Sequence, residues 1–287
     1  MGLRPIALTG STGYLGTSLI QDLENMENPL YCVPRNLQKI PELTAWLDNY
    51  KIHTVVNLAA ISDVAKCEQN PELATEVNLN FTKNLLKASS LAKSTKFIQA
   101  STVAVYGEKS KATVNDHPAP IGVYAKTKLE TENYIKENSE GLQYYILRFS
   151  NIIGLSAHKL KGITKYLLES SNQNQQIILP VLKDTSQTPV RDFLDIRDAK
   201  SAILNLIKTE STKSQTLNIS TGKETSLKEL ANLFNIEDKF ITFVEKESKD
   251  IAPLYCTTNP TNSIELWHPK IDLKETVKHI INNFAAK

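Results

Sequence analysis

Residues 4–9 form a short apolar run that ends in Thr9-Gly10-Ser11-Thr12-Gly13-Tyr14-Leu15-Gly16, so three of the chain's ten glycines fall within seven residues. Leu15, Leu19 and Leu23 then recur at four-residue spacing, the pattern of an amphipathic helix. A turn without Cβ atoms between a strand and a helix lets backbone N–H groups approach a pyrophosphate, and the helix N-terminus adds partial positive charge. The order strand, glycine turn, helix is what a dinucleotide fingerprint requires. Gly10, Thr12, Gly13 and Gly16 are therefore candidate cofactor-binding residues.

The same alternation continues through residue 155. Five apolar runs, RPIALT (4–9), LYCV (30–33), TVVNLA (54–59), KFIQA (96–100) and YYILRF (144–149), are rich in β-branched and aromatic residues and predict strands. Between them, Asn70-Pro71 predicts the cap and first position of a helix. Its Leu73, Val77, Phe81 and Leu85 predict a stripe packed on the sheet. After Gly154 the spacing loosens: helices near ITKYLLESS and RDAKSAILNLIK, strands QQIILP and TLNIS, a capping box at Ser226/Glu229, and a final helix capped by Asp272. The polar stretch SSNQNQQ (170–176) predicts a loop. The fold class is α/β: a Rossmann-type doubly wound parallel sheet with a smaller C-terminal α/β substrate lobe. Residues 1–155 form the first and 156–287 mainly the second, with room for some segments to return to the large sheet.

Composition narrows the function classes. Lys and Arg number 33 against 31 Asp and Glu, a net +2 spread along the chain, which gives no electrostatic reason to expect nucleic acid. Cys32, Cys67 and Cys256 are odd in number and far apart, as reduced thiols of a cytoplasmic protein are. His53, His117, His158, His268 and His279 are equally scattered, so no metal site is expected. No signal-peptide pattern and no run of membrane-spanning length is present. Met1-Gly2 precedes Ile6 where myristoylation wants Ser or Thr.

Thr102 ends the fourth strand, and Tyr124 and Lys128 sit four apart on the next helix. That spacing places the ammonium beside the phenol, where it favours the anion and makes Tyr124 a usable acid or base. Thr102, at the carboxyl end of a parallel strand, is placed to hydrogen-bond the same substrate oxygen. Alone, a Tyr and a Lys one turn apart describe a solvated helix face. Together with the glycine turn they predict a catalytic site. Nineteen residues after Gly16, where NAD sites carry an acid, stand Val33-Pro34-Arg35-Asn36. Arg35 matches a 2′-phosphate, so NADP(H) is favoured, with NAD(H) as the alternative and an unpaired loop arginine as the bland one.

TGSTGYLG, VVNLAAISDV, STVAVYG and YAKTK, in that order, resemble the extended branch of the short-chain dehydrogenase/reductases, the group of nucleotide-sugar epimerases, dehydratases and 4-keto reductases. The resemblance covers nearly the whole chain. It implies that Tyr14 and Leu15 line the pyrophosphate, that Leu58, Ala59 and Ala60 lie on the adenosine side, and that Asn78 lies by the nicotinamide half. It also implies that Lys128 holds the nicotinamide ribose and that Ser150 sits near the ring. RFSNIIG and VRDFLDIRD resemble segments whose Asn and first Arg touch the substrate pyrophosphate, here Asn151 and Arg191. Members of the family often pair as homodimers through the helices flanking the sheet, here 71–90 and 124–137.

The chain departs from the family pattern in three places, one being that the segment near the C-terminus lacks a bulky aromatic motif assignable to a particular sugar or base. Residues 36–43 read NLQKIPEL, shorter than the usual stretch with a Gly-Asp strand. Glu247-Ser248-Lys249-Asp250 replaces the Arg-x-Gly-Asp of many sugar-nucleotide epimerases, leaving Lys249 as the substitute phosphate contact. The implied activity is NADP(H)-dependent reduction at C4 of a nucleotide-linked 4-keto-6-deoxy hexose. A nucleotide-sugar 4-epimerase and a non-catalytic Rossmann-fold regulatory subunit are the alternatives.

Overall fold

Four of the five apolar runs of the first half form strands largely buried on both faces, and the second forms a half-buried edge strand. The computed structural model describes residues 3–109, 111–139, 141–156, 160, 162–183, 186–246 and 267–284. In it the runs become β1 (Ile6–Thr9), β2 (Leu30–Cys32), β3 (Thr54–Asn57), β4 (Lys96–Thr102) and β5 (Gln143–Phe149). Shorter strands follow as β6 (Asn151–Ile153), β7 (Ile177–Leu182), β8 (Val190–Arg191) and β9 (Phe193–Asp195). Then come β10 (Gln215–Ile219), β11 (Thr225–Ser226) and β12 (Ile241–Lys246). The helices are α1 (Tyr14–Glu24), α2 (Ile40–Asn49), α3 (Val64–Gln69), α4 (Pro71–Thr75) and α5 (Phe81–Leu91). They continue as α6 (Gly122–Asn138), α7 (Gly162–Gln173), α8 (Ile196–Lys208), α9 (Leu227–Leu233) and α10 (Leu273–Phe284).

Six strands form one parallel sheet in the order β10-β5-β4-β3-β1-β2. Successive residues serve opposite faces: Ile6 and Leu8 pack with Leu19, Leu23, Ile203 and Leu206 of α1 and α8, while Ala7 packs with Leu43, Leu47, Leu85 and Ile135 of α2, α5 and α6. Burial on both faces accounts for the near-continuous apolar strands. The TLNIS strand is β10, which leaves the second half of the chain to pair with β5 on the large sheet. A separate small core joins Leu167, Leu179, Leu230, Phe234, Val277 and Ile280.

The topology fixes where a ligand sits. From β1 the chain goes to β2 on one side and returns to β3 on the other, so the crevice at the carboxyl ends of β1 and β3 is the switch point of the sheet. Chain 36–43 adds no strand beyond β2; α2 begins at Ile40 and β2 is the sheet's edge.

Two local expectations are corrected. Leu73 is 49% exposed, and the buried face runs instead through Ala74, Asn78, Thr82, Leu85 and Ser89. The buried face steps by four from Ala74 to Thr82 and then by three to Leu85, so the stripe drawn from Leu73 runs one residue off it before meeting it at Leu85. The segment is also three pieces, with a π-helical turn over Glu76–Asn80 between α4 and α5. Residues 170–173 are the last turn of α7 rather than loop: Ser170 is buried and the Ser171 hydroxyl donates to the Phe234 carbonyl at 2.6 Å.

Candidate active site

Gly10 ends β1 with φ +66°, and a Cβ there would lie 2.7 Å from the Ala59 nitrogen and the Leu58 carbonyl carbon. A Cβ on Gly16 would fall inside the Gly10 carbonyl. The turn thus needs glycine at both positions, because backbone from β1, α1 and the loop after β3 meets there. A buried polar chain beneath holds that approach. Thr9 donates to Asn57 at 2.5 Å, Asn57 donates to Thr82 and Gln99, and the Ala59 amide donates to Thr9 at 3.1 Å.

The α1 N-terminus carries no capping side chain and no acid in its first turn. Free amides, helix dipole and missing Cβ atoms together fit a dinucleotide pyrophosphate. Leu58, Ala59 and Ala60 are half-buried at the end of β3, and Leu15 packs its side chain against the core. Arg35, exposed just beyond β2, donates to the Thr12 hydroxyl at 3.3 Å and so lies across the glycine turn. Tyr14 reaches away from the turn. Its hydroxyl donates to the Gly154 carbonyl at 2.5 Å, and burial, with the Asp195 charge, pushes the phenol well up.

Thr102 ends β4, and Tyr124 and Lys128 lie four residues apart on α6. The Thr102 hydroxyl lies near the Tyr124 phenol and accepts the Ala104 amide at 3.1 Å. Burial pushes Tyr124 up to about 12, while Thr102 opposes that rise. Burial pulls Lys128 down to about 8, and the charges of Glu132 and Cys67 oppose the fall. A phenol that keeps its proton at neutral pH is placed to donate it.

Asn78, in the π-helical turn, is wholly buried. Its side chain accepts the Ile61 amide at 2.8 Å and donates to the Ile61 carbonyl and to Thr127 on α6. It thereby braces the loop after β3 against the Tyr124 helix. A π turn at such a position is common at functional sites.

The second lobe joins the crevice through Asp192. Its carboxylate accepts from the Ser150 hydroxyl, the Thr221 amide and hydroxyl and the Gly222 amide, at 2.6–3.0 Å. Its backbone carbonyl accepts both the Asn151 amide and the Asn151 side chain. Arg191, on β8, donates to the Val190 carbonyl at 2.8 Å. Lys249, Cys256 and His158 lie outside the described residues.

Sequence reasoning missed Asp192 as a hub and a buried pair between α6 and β5, Glu132 and Arg148. Glu132 accepts from the Arg148 guanidinium at 2.5, 3.0 and 3.1 Å and from Ser101 at 2.5 Å. The signal was present: Glu132 follows Lys128 by the same four residues that separate Tyr124 from Lys128.

Residues 6–220 match the model of the NAD dependent epimerase/dehydratase family. The chain is 29% identical over 304 aligned residues to a putative UDP-glucose 4-epimerase of Methanocaldococcus jannaschii, covering 96% of this chain and 97% of that one. It is 24% identical to a GDP-6-deoxy-D-mannose reductase of Pseudomonas aeruginosa over 98% and 97% of the two. A solved structure of RMD from Pseudomonas aeruginosa complexed with NADPH superposes with a TM-score of 0.78 at 23% identity, over 99% of each chain. Solved structures of this fold hold NAD or NADPH. No helix among the described residues is long and apolar enough to cross a membrane. The glycine turn at the β1/β3 switch point and the family match over residues 6–220 lead to one conclusion: the chain belongs to the NAD dependent epimerase/dehydratase family, in the extended branch of the short-chain dehydrogenase/reductases.

Proposed function

We propose that the protein is an NADP(H)-dependent oxidoreductase that reduces the C4 carbonyl of a nucleotide-linked 4-keto-6-deoxy hexose. What supports this reading is Tyr124, across from Thr102 and four residues before Lys128 on α6, with burial pushing its phenol up to about 12. The bound dinucleotide supplies the hydride. Tyr124 donates its proton to the alkoxide oxygen formed at C4, Thr102 shares the hydrogen bond, and the Lys128 ammonium stabilises the phenolate left behind. A reductase begins its chemical step with a protonated Tyr, the state this environment favours.

Arg35 supports NADP(H) over NAD(H). It lies on Thr12 at the turn, where a 2′-phosphate would find a guanidinium and no competing carboxylate. The nucleotide half of the substrate is assigned to Asn151 and Arg191, which Asp192 and β8 hold on the substrate-lobe side of the crevice. The GDP-6-deoxy-D-mannose reductase relative favours a deoxy-sugar substrate.

The M. jannaschii relative supports a second activity, 4-epimerisation, in which Tyr124 first removes the proton. The test is absorbance at 340 nm with a nucleotide 4-keto-6-deoxy sugar and NADPH. Stoichiometric loss is expected. No loss, together with interconversion of UDP-glucose and UDP-galactose, would establish the epimerase instead. Failure to bind NADPH or NAD+ in a thermal-shift titration would exclude both and leave a non-catalytic role.

A further inference from the structure

Tyr14 opens α1 at the end of the glycine turn, where the helix has no capping side chain, yet its hydroxyl and its carbonyl serve a distant part of the chain. The phenol donates to the Gly154 carbonyl at 2.5 Å, and the Ser156 hydroxyl donates back to the Tyr14 carbonyl. Two bonds of opposite direction thus join one residue of the turn to a segment 140 and 142 residues away. Ser156 is fully buried. Burial and the Asp195 charge push the Tyr14 phenol up, so it remains a donor at every physiological pH.

The segment that Tyr14 holds is constrained on its other side as well. Gly154 has φ +132°, and a Cβ there would lie 2.7 Å from the Cγ2 of Ile196, the first residue of α8. Only glycine fits that passage. Immediately before it runs β6, whose Asn151, Ile152 and Ile153 pair with Phe193, Leu194 and Asp195 of β9. Asn151 therefore lies on the short strand that ends one residue before the carbonyl Tyr14 grips.

We propose that Tyr14 is a positioning residue that couples the two sides of the crevice: a dinucleotide pyrophosphate seated on the α1 N-terminus orders Tyr14, and Tyr14, through Gly154 and Ser156, orders β6 for the substrate. The first amide of α1 has no intrahelical partner and is among the groups a pyrophosphate takes up. Binding that stiffens one end of a hydrogen-bonded link lowers the ordering cost at the other. The proposal rests on the dinucleotide reading of the turn and on the assignment of Asn151 to the substrate, and it adds the connection between them.

The test is amide hydrogen exchange read by mass spectrometry, with ADP-ribose 2′-phosphate as the probe. This molecule carries the pyrophosphate and lacks the nicotinamide ring, so an effect near Ser150 cannot come from ring contact. At saturation in wild type, exchange should slow at residues 10–17 and, by about fivefold or more, at 151–156. In Tyr14→Phe, which keeps the ring and loses the bond to Gly154, residues 10–17 should still respond while the response at 151–156 disappears. Ser156→Ala removes the other bond, should shrink the response, and carries the test should Tyr14→Phe not fold. A link that only stabilises the fold would, when cut, speed exchange at 151–156 by the same factor with and without the probe. That result would overturn the proposal, and so would a wild-type response confined to 10–17. If neither ADP-ribose 2′-phosphate nor ADP-ribose changes exchange at 10–17, the dinucleotide reading itself fails and takes this coupling with it.

Discussion

The two sides of the crevice are built differently. The cofactor side rests on long parallel strands whose carboxyl ends carry Gly10, Leu58 and Thr102, braced by fully buried side chains such as Asn57 and Asn78. The side proposed for substrate rests on paired strands of two or three residues, β6 with β9 and β8 with β11, tied to the chain after β10 by one carboxylate, Asp192, through Ser150, Thr221 and Gly222. The first arrangement spreads its support over many bonds, so geometry there survives single losses. The second concentrates support, so a change in one side chain moves several ligand positions together.

The sharpest break of that contrast is chemical. Tyr124→Phe should lower turnover by about 10³-fold or more and leave NADPH affinity within about twofold by fluorescence titration, since the ring stays and only the proton donor goes. In wild type, turnover should hold from pH 6 to about 8 and fall above it, as Lys128 titrates near 8 and the neutral amine no longer stabilises the Tyr124 anion. Retained activity in the Phe variant would remove Tyr124 from the mechanism.

Arg35→Ala tests the cofactor side at its exposed rim. A charge-assisted contact to phosphate is worth about 1.5–3 kcal/mol, so Kd for NADPH should rise about 10- to 100-fold and Kd for NADH by less than twofold. Equal weakening of both would show that Arg35 supports the turn through Thr12 rather than reading the 2′-phosphate.

Asp192→Asn sharpens the comparison from the other side. The amide presents a donor to Ser150, Thr221 and Gly222, all of which donate to the carboxylate. Each group left unsatisfied costs about 1–3 kcal/mol. Because the carboxylate fixes Ser150, the residue before Asn151, KM for the nucleotide sugar should rise about tenfold while NADPH affinity is kept. Loss of NADPH binding in this variant would mean that the two sides are one cooperative unit.

The same contrast governs what could be read before any coordinates. The glycine turn and the Tyr124–Lys128 spacing were legible because each is set by local backbone geometry: a turn without Cβ atoms, and two residues on one helix face. Four strands were legible because the sheet buries both their faces, and the edge strand β2 through its short apolar run. Asp192 and Glu132 were not, since their meaning lies in partners 29 to 42 residues away for Asp192 and 16 to 31 for Glu132, and an acid in a helix or after an arginine reads as surface charge. The place of β10 beside β5 was equally hidden, because nothing local distinguishes a strand of the large sheet from one of the small lobe.

Leu73 offers the smallest and most specific check of local patterning. The four-residue stripe assigns it the same role as Leu85, yet Leu73 borders an open groove with Asp63, Lys66 and Gln69, and Leu85 is wholly buried under the sheet. Leu85→Ala should cost about 2–5 kcal/mol in urea unfolding, and Leu73→Ala within about 0.5 kcal/mol. Similar costs at both positions would show that α4 is packed in solution as the repeat alone suggests. The expected gap would instead show that the buried face, stepping by four from Ala74 to Thr82 and by three to Leu85, decides which leucine of an apparent stripe reaches the core.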